Sequence, residues 1–267
     1  MKNTDKIQFE KDARLTQKRR IKRVDKEDVM SLKEKKVVII GGSSGMGLAS
    51  AKAAAAEGAY VLIAGRSQEK LHRALSEIEG EADAHTLDVT REEEVRDFFA
   101  QLGAYDHLVT TAATGAVGAF LEMETSSVRG VFESKFWGQY FAARYGATGL
   151  RQGGSITLFA GLANEKPLPG LVAYAAVNGA IEGLCRTLAL ELAPLRVNVV
   201  SPGIINTPAY ADMPGDKREA MFSALGAQLP VKRVGRPEDV ARTVLYLMQN
   251  GFTTGTVIHV DGGHRLV

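Results

Sequence analysis

The sequence predicts an α/β protein in which a single domain is built on a parallel sheet of about seven strands. From Lys36 onward, short apolar runs alternate with helical stretches, and this alternation is typical of parallel strands joined by right-handed crossovers. The predicted strands are apolar at consecutive positions, which indicates a sheet covered by helices on both faces. Residues 31–267 contain no internal repeat or linker, so we expect one domain over that range.

Seven apolar runs are predicted as strands. They lie at residues 37–40, 60–64, 84–87, 107–111, 155–159, 197–200 and 257–260. Helices are predicted between them, at residues 48–57, 69–78, 92–101, 125–147, 173–193 and 237–249. The chain has 28 glycines, which suits the tight strand-to-helix turns of such a sheet.

Composition and charge argue against several classes of protein. Hydrophobic residues make up 45% of the chain, which argues against global disorder. A net charge of +2 gives no whole-molecule field that favours nucleic acid or an anionic membrane. No apolar run approaches the roughly 18 residues that span a bilayer, and no signal peptide is visible. One cysteine and five histidines without metal-ligand spacing suggest a reducing, cytoplasmic setting and no metal site.

Residues 1–30 are predicted to be a basic, flexible extension. They contain ten Lys/Arg and six Asp/Glu, with a dense basic run at residues 17–23. We interpret the segment as a solvated, partly helical extension, or as sequence upstream of a start at Met30. The alternative is an arm that binds nucleic acid or acidic lipid.

A glycine-rich turn is predicted between the first strand and the first helix, and it reads Gly41-Gly42-Ser43-Ser44-Gly45-Met46-Gly47. A phosphate group needs close approach of the backbone and the N–H groups of a helix N-terminus. Glycines permit that approach and the tight turn, and this turn has the required strand before it and helix after it. The sequence therefore predicts a dinucleotide-phosphate site here.

The end of the second strand favours NADP(H) over NAD(H). Proteins that bind NAD often place an acidic residue here for the ribose 2′-hydroxyl, but this chain has Gly65-Arg66-Ser67. A guanidinium suits a 2′-phosphate, which a carboxylate would repel. The alternative interpretation of Arg66 is an exposed cation at the start of a helix.

The spacing of Gly41, Gly45 and Gly47 resembles the G-x-x-x-G-x-G motif of the short-chain dehydrogenase/reductase family. Further segments similar to family motifs are Asp88-Val89, Pro202-Gly203 with Thr207, residues 235–241 and residues 254–263. The resemblance covers about residues 36–263. It implies a Rossmann-type doubly wound sheet, assembly as a homodimer or homotetramer, and further cofactor contacts at Asp88, Val89, Thr111, Ala112, Tyr174, Pro202, Gly203, Ile204 and Thr207.

The catalytic positions depart from the family pattern. Tyr174 matches the family's catalytic tyrosine, but its lysine four residues later is Asn178 here. Its serine is Gly161, and its asparagine on the preceding long helix is Lys135. The lysine and asparagine types therefore look exchanged, and an inward-pointing Lys135 would restore the cation beside Tyr174 while Asn178 holds ribose or water. If Lys135 points to solvent instead, the site is a relic.

The fourth strand is followed by Ala112-Ala113, and Thr110-Thr111 stands where the family has Asn-Asn. The hydroxyl of Thr110 or Thr111 is a candidate replacement for the missing serine.

Two functions are consistent with the predicted cofactor and catalytic residues. We expect an NADP(H)-dependent oxidoreductase that acts on a carbonyl or alcohol. The family resemblance implies that residues 204–229 form a lid over the substrate, and the apolar residues of this region favour a small, largely apolar substrate. The alternative is an NADP(H)-binding sensor or structural subunit with little turnover.

The resemblance also implies that subunits meet through the two long helices at 125–147 and 173–193. The apolar side chains expected at that interface are Phe132, Phe136, Trp137, Phe141, Ile181, Leu184 and Leu188.

Overall fold

The computed structural model describes residues 31–267. The chain divides into two units, Met1–Ser31 and Leu32–Val267, and the extension predicted at residues 1–30 lies outside the described residues. No helix in the described part is long and apolar enough to cross a membrane.

The described residues form one seven-stranded sheet flanked by helices, which confirms the predicted fold class. All strand pairs are parallel, and the strand order is β3-β2-β1-β4-β5-β6-β7. The strands are β1 (Lys36–Ile40), β2 (Tyr60–Gly65), β3 (Ala82–Thr86), β4 (Tyr105–Thr110), β5 (Leu150–Phe159), β6 (Arg196–Pro202) and β7 (Val257–Val260). The main helices are α1 (Gly45–Ala56), α2 (Gln68–Glu77), α3 (Glu92–Leu102), α4 (Thr125–Val131), α5 (Gly138–Gly146), α6 (Val172–Glu191), α7 (Gly215–Gln228) and α8 (Pro237–Gln249). The order reverses between β1 and β4, which opens a crevice at the carboxyl ends of these strands.

Two apolar clusters cover the two faces of the sheet. Val37 and Ile39 point into one cluster with α1 and α8, whereas Val38 and Ile40 point into the other with α3, α5 and α6. Each fully buried aliphatic side chain of this kind contributes about 1.5–3 kcal/mol relative to an exposed one. Burial on both faces explains why β1 is apolar at consecutive positions rather than alternating.

The helix predicted at 125–147 is interrupted. A π-helical turn, Phe132–Trp137, separates α4 from α5. Gln139 supports this turn from within: its amide nitrogen donates to the Lys135 carbonyl at 2.9 Å and to the Phe159 carbonyl at 2.9 Å. Its amide oxygen accepts from the Phe159 N–H at 2.7 Å and the Thr110 hydroxyl at 2.8 Å. Turns of this kind occur often at functional sites, and this one carries Lys135.

Two expectations about the helices need correction. The lid region at 204–229 contains a full helix, α7, which begins directly after Pro214 and was not predicted. Among the residues expected at the subunit interface, Phe141 and Ile181 are buried in the core of this chain. Their apolar character is explained by packing under the sheet, so they are not available to a partner.

Candidate active site

A cleft of about 640 Å³ lies at the crevice where the strand order reverses. Most of the predicted cofactor residues line it, namely Gly41, Ser43, Ser44, Gly45, Met46, Gly47, Arg66, Asp88, Val89, Thr111, Ala112 and Thr207. Four of the predicted cofactor residues are not among those that line this cleft: Tyr174, Pro202, Gly203 and Ile204. The structure therefore brings the phosphate turn, the end of β2 and the end of β4 together in one site.

The glycine turn leaves room for a phosphate group. Gly41 and Gly45 have φ values of 85° and 53°, a region that favours glycine. A Cβ at Gly47 would overlap the Gly41 carbonyl oxygen, and a Cβ at Gly41 would lie 2.5 Å from the Thr111 hydroxyl. Ser44 makes no side-chain hydrogen bond to the first turn of α1, so the N–H groups of that turn can receive an anion.

Two cations line the far end of the cleft. Arg66 directly follows β2, and Lys70 lies in the first turn of α2. The Ser67 hydroxyl caps α2 by accepting from the Lys70 N–H at 3.3 Å. The sequence interpretation missed Lys70, because a lysine on the exposed face of an amphipathic helix looks like an ordinary solvated residue. Asp88 is the acidic residue in the lining, and its carboxylate accepts from the N–H and hydroxyl of Thr90 at 3.0 and 2.8 Å.

Lys135 points into the protein. Its side chain is buried, with 7% of the residue exposed. The ammonium nitrogen donates to the Ala160 carbonyl at 2.8 Å and to Asn178 Oδ1 at 2.6 Å. The same nitrogen lies 5.5 Å from the centroid of the Tyr174 ring, which is within cation–π range. Burial lowers the pKa of Lys135 to about 7, because the low-dielectric interior disfavours the charged form.

Asn178 joins Lys135 to the loop after β5. Its amide nitrogen donates to the Gly161 carbonyl at 3.0 Å, while its amide oxygen receives the Lys135 hydrogen bond. Only 2% of the residue is exposed, and Asn178 is not among the residues that line the cofactor cleft. A Cβ at Gly161 would lie 3.1 Å from the Asn178 amide nitrogen. The Asn178 amide therefore lies close to the space that a side chain at position 161 would occupy.

Tyr174 lies near the start of α6 and is half-buried, and burial raises the pKa of its phenol. A Cβ at Gly115 would overlap the Tyr174 phenol oxygen and lie 2.5 Å from Cζ, so the hydroxyl lies against the main chain of the loop after β4. Tyr210, in the short helical turn after Thr207, has a pKa that is raised by burial and by the charge of Tyr174. Its ring contacts Phe222 of α7 edge-on at 5.2 Å.

The candidate hydroxyls at the end of β4 are already engaged. Thr110 donates to Gln139, and the Thr111 hydroxyl lies 3.2 Å from the carbonyls of Ile40 and Gly41. Neither hydroxyl makes a hydrogen bond to Tyr174, so the structure gives no support to either threonine as a replacement for the serine. No group of histidine, cysteine and acidic residues within residues 31–267 could hold a metal ion.

The chain is similar to known proteins over most of its length. A family model described as enoyl-(acyl carrier protein) reductase matches residues 41–265. A second model, for the NAD(P)H binding domain of trans-2-enoyl-CoA reductase, matches residues 13–67. Among individual relatives, the short-chain dehydrogenase/reductase ATR9 of Stachybotrys chlorohalonatus is 33% identical over 251 residues, which cover 87% of this chain and 98% of that protein.

Solved structures give the same result. A small-chain dehydrogenase in complex with NADPH is 37% identical, with a TM-score of 0.75 over 88% of this chain and 100% of the other. The MalC reductase/Diels-Alderase of Malbranchea aurantiaca is 31% identical, with a TM-score of 0.83 over 90% of this chain and 99% of the other. The chain therefore belongs to the short-chain dehydrogenase/reductase family.

Proposed function

We propose that this protein is an NADP(H)-dependent oxidoreductase that interconverts a carbonyl and an alcohol on a small, largely apolar substrate. The single observation that carries the proposal is the buried Lys135 ammonium, 5.5 Å from the centroid of the Tyr174 ring. In the family pattern, the residue four positions after the tyrosine is a lysine that supplies a cation, and here that residue is Asn178. Lys135 supplies one from the neighbouring π-helical turn instead.

The described residues fit a phosphorylated dinucleotide. The glycine turn and the N-terminus of α1 would hold the pyrophosphate. Arg66 and Lys70 would hold the 2′-phosphate, since both are cations and a guanidinium can bind phosphate in a bidentate manner. Asp88 and Val89 would contact the adenine, and Pro202, Gly203, Ile204 and Thr207 would lie near the nicotinamide. When bound, the cofactor would supply or accept the hydride.

Tyr174 would carry the proton of the reaction. Because burial raises its pKa, the phenol is neutral near pH 7 and can donate to the oxygen of a carbonyl substrate. The resulting phenolate is stabilised by the Lys135 ammonium. Asn178 would act on Lys135 rather than on ribose, because its amide bonds to the ammonium and to Gly161.

A second candidate function is an NADP(H)-binding sensor or structural subunit. Position 161 has no side chain, and the Thr110 and Thr111 hydroxyls bond elsewhere. Loss of one polarising donor costs about 3 kcal/mol of transition-state stabilisation. That loss slows an enzyme without abolishing it, so we favour the oxidoreductase. A screen of carbonyl substrates with NADPH separates the two functions, because the sensor would bind NADPH tightly and turn nothing over.

Replacement of Arg66 by alanine should weaken NADPH binding selectively. The guanidinium contributes charge-assisted hydrogen bonds worth about 1.5–3 kcal/mol, so the Kd for NADPH should rise about tenfold or more. The Kd for NADH, measured by the same fluorescence titration, should stay within about twofold. Arg73→Ala is the matched control, because Arg73 lies on the helix that follows Arg66 and forms an exposed ion pair with Glu69. Equal losses for both cofactors would contradict the NADP(H) preference.

Exchange of residues 135 and 178 should retain activity. Tyr174→Phe should abolish turnover, Lys135→Ala should reduce kcat about 100-fold or more, and Asn178→Ala should reduce it modestly, because only the first two remove the proton carrier or its cation. The double variant Lys135→Asn, Asn178→Lys restores the family arrangement and should retain activity. The single variant Asn178→Lys is the control for this double variant, because it buries a second ammonium group beside Lys135 instead of moving the charge from 135 to 178. Full activity in Lys135→Ala would rule out the proposal that Lys135 supplies the cation beside Tyr174.

Lys135 should also make stability depend on pH. The folded-state pKa of about 7 lies below the unfolded value of about 10.4, so the unfolded state binds more protons between these values. The destabilisation is therefore complete below about pH 7 and disappears as the pH approaches about 10. Urea unfolding across that window should show wild type gaining stability relative to Lys135→Met as pH rises. A difference between the two proteins that stays constant from about pH 7 to about pH 10 would contradict the prediction.

Subunits should associate through an aromatic surface on the π-helical turn and α5. Phe136, Trp137 and Tyr140 contact one another at 5.3–6.3 Å between ring centroids, and Trp137 is 39% exposed. Phe136 and Tyr140 are partly buried, and a partly exposed aromatic cluster of this kind is typical of an interface. Light scattering at micromolar concentration should give a dimer or tetramer, and Trp137→Asp should give a folded, smaller species. A wild-type monomer would contradict this proposal.

A further inference from the structure

The loop between β4 and α4 lies directly against the Tyr174 hydroxyl. A Cβ at Gly115 would overlap the phenol oxygen and lie 2.5 Å from Cζ. Gly115 is not among the glycines with positive φ, so its backbone would tolerate alanine if the space were free. The phenol oxygen is thus held next to a bare Cα, and only glycine leaves room for it.

This part of the loop is fixed at both ends. The Thr114 N–H donates to the Ser134 hydroxyl at 3.0 Å, and the two hydroxyls lie 2.6 Å apart. Ser134 is buried and immediately precedes Lys135. At the other end, the Gly118 N–H donates to the Gly170 carbonyl at 3.1 Å. We call residues 114–118 the Tyr174 strap, because they join the element that carries Lys135 to the segment that leads into α6.

The Tyr174 hydroxyl makes no hydrogen bond to any residue of the described chain. Its position is therefore set by packing: the Lys135 ammonium lies over the ring, and the strap lies against the oxygen. A hydroxyl placed by packing alone remains free to donate to a substrate. A displacement of a reacting group by about 1 Å can lower the rate about 100-fold. The main chain at Gly115, which limits the position of the phenol oxygen, is therefore functionally important.

We propose that Gly115 is a positioning residue, and that its bare main chain, held within the Tyr174 strap, sets the location of the phenol oxygen. This proposal rests on the proposed function, since it concerns the same proton donor. The missing side chain at 115 is the specific requirement: any Cβ there displaces the phenol away from the strap.

The test compares Gly115→Ala with Gly118→Ala. Both variants add one methyl group to the same strap, but the nearest atom to a Cβ at Gly118 is the methyl carbon of Met123 at 3.6 Å, an ordinary contact. We expect Gly115→Ala to lower kcat about 100-fold while the Kd for NADPH stays within about twofold. Gly118→Ala should retain kcat within about twofold. Wild-type kcat in Gly115→Ala would overturn the proposal.

A thermal-unfolding cycle tests the contact without turnover. Gly115→Ala should lower the Tm of wild type, but it should not lower the Tm of Tyr174→Ala, because the colliding ring is then gone. Equal losses in both backgrounds would overturn the proposal. If Gly115→Ala alone does not fold, recovery of a folded protein in the Gly115→Ala, Tyr174→Ala double variant supports the collision, and failure to recover overturns it.

Titration of the phenol gives a readout that a general loss of stability would not move. The chain has seven tyrosines, so the tyrosinate absorbance of each variant is compared with that of its Tyr174→Phe counterpart. Burial raises the pKa of Tyr174 in the wild type, and displacement towards solvent in Gly115→Ala should bring it back towards the ordinary value. An unchanged titration would overturn the proposal. If wild type turns over no carbonyl, the proposed function fails, while the Tm cycle and the titration still decide the role of Gly115.

Discussion

The buried ammonium of Lys135 is the constraint on which the site depends. A cation removed from water is costly unless its donors are satisfied, and here the Ala160 carbonyl and the Asn178 amide oxygen accept from it. The backbone that carries Lys135 is held in turn by Gln139, which also binds both backbone groups of Phe159. The π-helical turn, the end of β5 and the start of α6 are therefore tied to one another through a single charge and its hydrogen bonds.

This network accounts for the residues at positions 135, 161 and 178, which differ from those that the family resemblance leads one to expect. With lysine at 135, a second cation at 178 would be repelled, so residue 178 has to accept a hydrogen bond. The amide oxygen of Asn178 accepts one from the Lys135 ammonium at 2.6 Å. The Asn178 amide then donates to the Gly161 carbonyl and comes within 3.1 Å of where a Cβ at 161 would lie. Glycine at 161 is thus the residue that gives this amide the most room. The lysine, asparagine and glycine at these three positions therefore form one packing arrangement in the structure.

Much of the fold followed from local signals in the sequence, but several features of the site did not. The strands were predicted because burial on both faces leaves an unbroken apolar run such as Val37–Ile40, and the phosphate turn because only glycine allows its backbone. The inward direction of Lys135 depends on a π-helical turn supported by Gln139, a tertiary contact with β4 and β5 that no local pattern reveals. The contact of Gly115 with Tyr174 joins residues 59 positions apart, and nothing in a loop of small residues predicts it.

The cations at the two ends of the site differ in the desolvation free energy that their positions require. Arg66 and Lys70 line an open cleft, where a charge is hydrated and can be kept at almost no cost until a phosphate arrives. Lys135 lies in the interior, where burial lowers its pKa to about 7 and a methionine of similar length would avoid the desolvation entirely. A surface cation is expected whether or not it has a function, but a destabilising buried one beside a half-buried phenol is typical of a site whose chemistry compensates for lost stability. Lys135 therefore favours catalysis more strongly than the better-matched cofactor motifs do, because a protein that only binds NADP(H) would also keep those motifs.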